Sequence, residues 1–394
     1  MNDINILVVT TLYPNIVQFR HGVFVETRVR HLKKSGKVNI KVIAPIPWFP
    51  FKSKYFPRYS KVAEIPYFEM RDDIEVYHPR YLVIPKIGML FTPFFLAISI
   101  YIQVNNLKKQ DYQFDIIDAH YYYPDGVAAA LVTSWLKKPL TITARGTDIN
   151  LIPNFTLPRK LILWASRVAS YNLAVCNALR EKMLEIGVDE SSAHVFRNGV
   201  DLKLFAPLAR DKVREKWQVR SKLLISVGYL IERKGHHLII EAMRELQEYH
   251  LFIVGGGEWE NKLKSQVLQL GLQDRVRFLG EVSQKLLPEL YNCADALVLA
   301  SDREGWANVL LEAMACGTPV VASNIWGTPE VVQSPDAGVL CEERSAKGIV
   351  EGVNRLFNAY PDRQATRKYA EKFSWDETTN GLVDLFSKIK QDID

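Results

Sequence analysis

Runs of uninterrupted apolar residues, each bounded by turn residues, alternate with longer stretches of helical period along this chain. INILVV, NIKVIA, FDIIDA, LTITA, NLAVC and AHVF come in its first half, and KLLISVG, YHLFIVGG, RVRFLG, ALVLA and PVVAS in its second. A strand that is apolar on both faces belongs in a sheet covered on both sides. The intervening segments of helical period, such as Phe24 to Lys34 and His237 to Leu246, supply that cover. The sequence therefore predicts an α/β protein with parallel sheets, and because the pattern runs twice it predicts two such domains.

The second series begins after HVFRNGVDLKLFAP, where Asn198 and Gly199 mark a turn and Pro207 follows. That places a first domain over 1–203 and a second over 204–375. Hydrophobic residues at 48% and charged residues at 24% suit a folded globular chain and exclude disordered, fibrous and polytopic membrane classes. The net charge of +6 is a mild bias toward an anionic partner. Cys176, Cys293, Cys316 and Cys341 are scattered with no CxxC pair, so neither a disulfide framework nor a structural zinc site is expected, and a reducing cytosol is the expected compartment. The opening MNDINILVVTT carries Asp3 where a signal peptide has basic residues, and its apolar run spans only Ile4 to Val9; it reads as a first strand.

Two segments of the first domain suit a lipid surface. Ile87 to Ile102 is the longest apolar stretch, interrupted by Pro93 and short of the roughly 18 residues of a spanning helix, so it reads first as a core helix. Pro47 to Lys61 interleaves Trp48, Phe49, Phe51, Tyr55, Phe56 and Tyr59 with Lys52, Lys54, Arg58 and Lys61 and contains no acid, which fits peripheral contact with an anionic membrane. Nucleic acid is not an expected partner, since no helix-turn-helix, RNA-recognition or zinc module accompanies the basic residues.

Two blocks in the second domain carry chemistry. SDREGWANVLLEAMACGTPVVAS, from Ser301 to Ser323, reads as a loop, a helix from about Asn308, a stop at Gly317 and Pro319, and a buried strand. A helix N-terminus that follows a strand offers backbone N–H groups to an anion, and Gly305 lets a ligand approach the backbone closely. Glu304 in the loop and Glu312 in the helix are acceptors for hydroxyls, so the pair suits a ligand with hydroxyls on either side of phosphates, such as a nucleotide sugar. In ISVGYLIERKGHHLIIEAM, Arg233 and Lys234 occupy a strand-to-helix turn, where both can grip a departing diphosphate.

SDREGWANVLLEAMACGTPVVAS and VGYLIERKG resemble the donor site of family 4 glycosyltransferases, and the resemblance extends over essentially the whole chain, including NGVD at Asn198 to Asp201 and FSWDET from Phe373. It implies the GT-B fold, two Rossmann-like domains facing across a cleft. It also implies that a C-terminal helix, 376–394, crosses back to the first, acceptor-binding domain. Ser374 and Glu377 form a capping-box signature at its start. The resemblance implies that Glu304 contacts the donor sugar, Glu312 the ribose, and Arg233 with Lys234 the diphosphate, assisted by backbone around Ala307, Asn308 and Val309. It makes His120, in DIIDAHYYYPDG, the active-site histidine, and Gly22, in RHGVFVETRVRHLKKSG, part of the loop near the donor phosphates.

The sequence departs from the family pattern in three places. Gly22 is preceded by His21 rather than by a second glycine, and Tyr229 stands where many members have an arginine after VG. Arg145-Gly146 replaces a common His-Gly pair in TARGTDIN, which makes Arg145 and Asp148 acceptor-side residues, with Arg145 free to pair with an acceptor phosphate or with Asp148.

The implied activity is retaining transfer of a sugar from a nucleotide diphosphate sugar to a hydroxyl of a glycan or lipid-linked acceptor, in cell-surface polysaccharide or glycolipid synthesis. No metal or other cofactor is expected. A UDP-sugar is the default donor and a GDP-sugar the alternative. The protein is expected in the cytoplasm or on the inner face of the membrane. A nucleotide-sugar epimerase of the same fold and a catalytically silent glycan-binding relative are the competing readings. VGGGEWE has Glu260 where a dinucleotide fingerprint needs its third glycine, and no P-loop or GxSxG motif occurs.

Overall fold

The computed structural model describes residues 4–48, 62–84 and 88–392. Contacts divide the chain into two compact units, Met1–Asn198 with Asp376–Asp394, and Gly199–Trp375.

The first unit holds an eight-stranded sheet in the order β10-β9-β8-β7-β1-β2-β5-β4 and a separate pair, β3-β6. In chain order these are β1 (Ile4–Val9), β2 (Val38–Ile43), β3 (Ile46–Trp48), β4 (Phe68–Arg71), β5 (Ile74–Tyr77), β6 (Arg80–Leu82), β7 (Ile116–His120), β8 (Leu140–Ala144), β9 (Tyr171–Ala174) and β10 (Ala193–Val195). Neighbours in the large sheet are parallel except β4 and β5, which form a hairpin turned by Asp72 and Asp73, both at positive φ. Its core joins Ile6, Val8, Ile40, Val42 and Ile116 of the strands to Val25, Val29 and Leu32 of α1 (Val23–Lys34). Leu382, Val383, Phe386 and Ile389 of the C-terminal helix Trp375–Gln391 complete it. Burying each of those four side chains contributes about 1.5–3 kcal/mol, and the Thr378 hydroxyl donating to the Arg197 carbonyl at 2.6 Å fixes where the helix arrives.

The longest apolar stretch forms α2 (Gly88–Lys108), which packs beside α3 (Val127–Leu136) through Tyr101 and Trp135, edge to face at 5.4 Å. Leu96, Ala97, Ile100, Val104 and Leu107 are buried, as a core helix requires. Phe91, Phe94, Ile98 and Ile102, at helical spacing, point to solvent instead. Of the basic-aromatic segment, Pro47 and Trp48 lie in β3, and 49–61 fall outside the described residues.

The second unit is a six-stranded, all-parallel sheet in the order β13-β12-β11-β14-β15-β16. Its strands are β11 (Lys222–Val227), β12 (Tyr249–Val254), β13 (Val276–Gly280), β14 (Ala296–Leu299), β15 (Val320–Ser323) and β16 (Gly338–Cys341). Numbered from the unit's own start, this is the 3-2-1-4-5-6 order of doubly wound nucleotide-binding sheets, and it reverses direction between β11 and β14. Helices α4 (His236–Ala242), α5 (Leu287–Cys293) and α6 (Asn308–Ala315) cover it near the reversal.

The division between units falls at Asn198–Gly199, not after residue 203, for a local reason. The Val200 N–H donates to the Phe373 carbonyl at 2.8 Å, and the Arg367 guanidinium takes the carbonyls of Leu202 and Phe205, so 200–205 is held by the second unit's last helix.

Candidate functional site

In the second unit the two sequence blocks leave the carboxyl ends of β11 and β14, adjacent strands on either side of the reversal, where open α/β sheets bind ligands. The β11 loop makes a single 3-10 turn at Glu232–Lys234 and passes through Gly235 into α4. Gly235 has φ 71°, and a Cβ there would stand 2.0 Å from the Ala300 carbonyl oxygen at the start of the other loop. Only glycine lets the two loops touch at this point. Across the contact the Asp302 N–H donates to the Arg233 carbonyl at 2.9 Å, and the Arg233 guanidinium donates to the Arg303 carbonyl at 2.7 Å.

This contact delivers Lys234 to Glu304. The ammonium lies 2.5 Å from Glu304 Oε1, which also accepts the Ser301 hydroxyl at 2.6 Å. Glu304 is buried; burial works to raise its pKa, but the Lys234 charge and hydrogen bond, the Ser301 hydroxyl and Arg233 together hold it below the usual carboxylate range. It is therefore an ionised acceptor at neutral pH, with Oε1 engaged and Oε2 available to a ligand hydroxyl.

Gly305, Trp306 and Ala307 are buried and lead into α6, which begins at Asn308 as the sequence predicts. The helix opens on Ala307, which makes no side-chain cap, and the N–H of half-buried Asn308 donates to the Trp306 carbonyl at 3.1 Å. Glu312 lies one turn into α6, and Glu304 lies in the loop before it, as the sequence predicts. Its Oε2 accepts the Tyr291 hydroxyl of α5 at 2.9 Å. Burial pushes the Glu312 carboxyl up to about 7, against the opposing pull of that hydrogen bond. Sequence reasoning found Glu312 but not Ser301 or Tyr291. Tyr291 has no sequence signal, being 21 positions away and brought in only by the packing of α5 against α6.

In the first unit, Gly22 is the N-cap of α1 at φ 74°, and a Cβ there would meet the Leu12 carbonyl carbon and oxygen at 2.2 Å. His120 ends β7 and is fully buried. Its Nδ1 accepts from the Arg145 guanidinium at 2.7 Å, which leaves Nε2 protonated; that nitrogen lies 3.3 Å from Asp118 Oδ2 but makes no hydrogen bond. Burial lowers its pKa to about 4, so the ring is neutral. The ring is thus enclosed by the protein at the position where the resemblance places the active-site histidine.

Arg145 is the half-exposed member of this chain. It also donates to Asn198 Oδ1 at 3.0 Å and sits 5.4 Å from the Phe24 ring centroid. Its side chain does not pair with Asp148. The Asp148 carboxylate is buried and accepts instead from the backbone N–H groups of Tyr122 at 2.8 Å, Arg145 at 3.0 Å and Gly146 at 2.7 Å. Asp148 in this arrangement organises the loops after β7 and β8 and presents no free oxygen for a substrate, a correction to the acceptor-side role that the sequence assigns it. Sequence reasoning missed Asp118, although residues two apart on a strand share a face.

Comparisons with known proteins bear on the family and the fold. The family described as Glycosyltransferase Family 4 matches residues 21–204, and the one described as Glycosyl transferases group 1 matches 209–373. A Bacillus subtilis protein assigned to teichuronic acid biosynthesis as the glycosyltransferase TuaC is 29% identical over 358 residues, covering 89% of this chain and 88% of that one. Among solved structures, sucrose-phosphate synthase from Thermosynechococcus elongatus superposes with a TM-score of 0.80 at 18% identity over 98% of this chain and 99% of that one. Anabaena Alr3699/HepE in complex with UDP-glucose does so at 0.72 and 20% identity, over 98% and 99%.

Proposed function

The chain belongs to glycosyltransferase family 4 and has its GT-B fold, and on that premise we propose that it is a retaining, metal-independent transferase. The donor is a nucleoside diphosphate sugar, with UDP-sugars tested first and GDP-sugars next, and the acceptor is a hydroxyl of a glycan or lipid-linked saccharide in cell-surface polysaccharide or glycolipid synthesis. The observation that carries the reading is the meeting of Lys234, Arg233 and Glu304 in the two loops at the carboxyl ends of β11 and β14, the second of which leads into the helix that bears Glu312. The two cations lie in these loops, where a diphosphate would find its counter-charge, and Glu304 and Glu312 supply acceptors for its hydroxylated groups. A structural relative that binds UDP-glucose supports the donor class.

In this mechanism the bond from the anomeric carbon to the diphosphate oxygen breaks, and its electron pair leaves with the diphosphate. Arg233, Lys234 and the α6 amides stabilise that charge as it develops. The acceptor oxygen bonds to the same face of the anomeric carbon, and its proton passes to the leaving phosphate oxygen. Glu304 holds the sugar and Glu312 the ribose. The test is to incubate the enzyme, in EDTA, with UDP-glucose, UDP-galactose, UDP-N-acetylglucosamine or the GDP-sugars and a membrane-lipid extract. Product formation with the donor's anomeric configuration, read by NMR, supports the reading. Inverted product, or an absolute need for a divalent ion, contradicts it.

The same reading places the protein on the cytoplasmic side of a membrane, in peripheral contact with anionic lipid. The exposed Phe91, Phe94, Ile98 and Ile102 of α2 and Trp135 of α3 form an apolar face. No acid occurs between Glu75 and Asp111 or between Asp125 and Asp148, whereas Lys108, Lys109, Lys137 and Lys138 end the two helices. Flotation with anionic vesicles, lost in Phe94→Ser/Ile98→Ser, tests this; absence of binding by the wild type rules it out.

A further inference from the structure

The loop after β16 supplies a side chain that neither sequence block contains and the mechanism above does not use. It reads EERS before the helix Ala346–Asn358, and the Ser345 hydroxyl oxygen caps that helix by accepting the Gly348 N–H at 3.0 Å. Ile349 and Val353 of the helix share a core with Ile239 and Ile240 of α4, so the residue before the cap is placed by packed secondary structure. That residue is Arg344. Half-buried, it crosses to the loop after β14, where its Nε–H donates to the Ala300 carbonyl at 2.9 Å. The same oxygen is the one that Gly235 rests against, 2.0 Å from where a Cβ would stand. Three loops, after β11, β14 and β16, therefore meet at one buried carbonyl. Glu304 follows Ala300 in its loop, and its partner Lys234 directly precedes Gly235 in the other.

We propose that Arg344 is a positioning residue for diphosphate binding: its Nε–H holds the Ala300 carbonyl in place and so keeps the loops that carry Lys234 and Glu304 together. This rests on the transferase reading, which puts a diphosphate at Lys234 and Arg233, and every residue in it belongs to the second unit. A buried carbonyl that loses its donor is drawn toward another, and Gly235 leaves it no room to shift without disturbing the turn that carries Lys234. Side-chain lengths separate this role from one of charge. Glutamine has its amide nitrogen as many bonds from Cα as the arginine Nε, so Arg344→Gln keeps the donor and loses the charge. Lysine has a methylene at that place, so Arg344→Lys keeps the charge and loses the donor, and Arg344→Met loses both.

The experiment titrates UDP and GDP calorimetrically into the wild type and the three variants and measures KM and kcat with the preferred donor. Arg344→Met and Arg344→Lys are expected to raise the nucleoside diphosphate Kd and the donor KM on the order of tenfold, the scale of a lost hydrogen bond from a charged group, and Arg344→Gln to stay within about threefold of the wild type. A folded Arg344→Met with wild-type Kd overturns the proposal, as does Arg344→Lys binding as well as Arg344→Gln or better. If Arg344→Met does not fold, the comparison of Lys with Gln decides. A second readout needs no ligand: the stability coupling between Lys234 and Glu304, from a double-mutant cycle in urea, should fall by at least about half in the Arg344→Met background and persist in Arg344→Gln. An unchanged coupling in Arg344→Met overturns the proposal. Failure of the wild type itself to bind any nucleoside diphosphate indicts the transferase reading instead, and the coupling then tests the Arg344 contact by itself.

Discussion

Replacing Lys234 by alanine should damage stability and turnover together, for one reason. Its ammonium and the Glu304 carboxylate are 14% and 10% exposed, so the pair is buried and removal of the cation strands an anion whose remaining partner is the Ser301 hydroxyl. Breaking a buried pair from one side costs about 3–5 kcal/mol, a large part of a typical stability of about 5–15 kcal/mol but not all of it. Turnover should fall on the order of a hundredfold or more, as for loss of one donor that stabilises a developing oxyanion. Removing both partners, in Lys234→Ala/Glu304→Ala, leaves no buried charge, so its stability loss should be smaller than the sum of the single losses by about 1–3 kcal/mol. Urea denaturation of the four proteins supplies the cycle, and donor turnover supplies the rates. Additive stabilities, or a Lys234→Ala enzyme with wild-type turnover, would show that the contact neither couples the two residues nor serves the reaction.

Tyr291→Phe removes the one hydrogen bond that pulls the Glu312 pKa down from its position of about 7, so the carboxyl should titrate higher and nucleoside diphosphate affinity at pH 7 should fall several-fold, recovering at higher pH; an affinity profile like that of the wild type would separate Tyr291 from ribose binding. Burial, with Asp148 adding to it, pushes Asp125 up to about 7 from 3.8, so the native protein holds that proton more tightly than the unfolded chain does. Its contribution to stability accordingly declines as pH rises from about 4 to about 7, by about 4 kcal/mol at most. In urea denaturation at pH 5 and 7.5 Asp125→Asn should show less of this decline than the wild type. Gly235→Ala places a methyl group 2.0 Å from the Ala300 carbonyl oxygen, at φ 71°, and should cost at least about 2 kcal/mol and weaken nucleotide binding, because the loops bearing Lys234 and Glu304 must part.

The parallel sheets were legible because each strand is apolar on both faces, and the donor-side residues because Ser301 to Ser323 and Val227 to Gly235 carry their chemistry in short contiguous stretches. Other features were hidden for physical reasons. The β4–β5 hairpin turns on Asp72 and Asp73, which take up positive φ without the glycine that usually announces such a turn. α2 is apolar all round, so periodicity cannot tell its buried face from the one left to solvent. YPDG reads as an ordinary turn, and nothing near it tells that the Asp125 carboxylate reaches the loop after the first strand. His120 was found by resemblance, but its enclosure by Arg145 and Asp118 depends on β8 lying beside β7, a pairing that motif spacing does not encode.

The central claim is that the second unit binds a nucleoside diphosphate through Arg233, Lys234 and Glu312. It is tested most directly by titrating the wild type and Glu312→Ala with UDP and GDP in EDTA, following heat and thermal stability together, because a ligand of the native state must raise its melting temperature. The account predicts that the wild type binds one of the two nucleotides and is stabilised by it without a metal, and that Glu312→Ala remains folded but binds at least about tenfold more weakly. A folded wild type that binds neither nucleotide at millimolar concentration, or a Glu312→Ala protein that binds as well as the wild type, would contradict it.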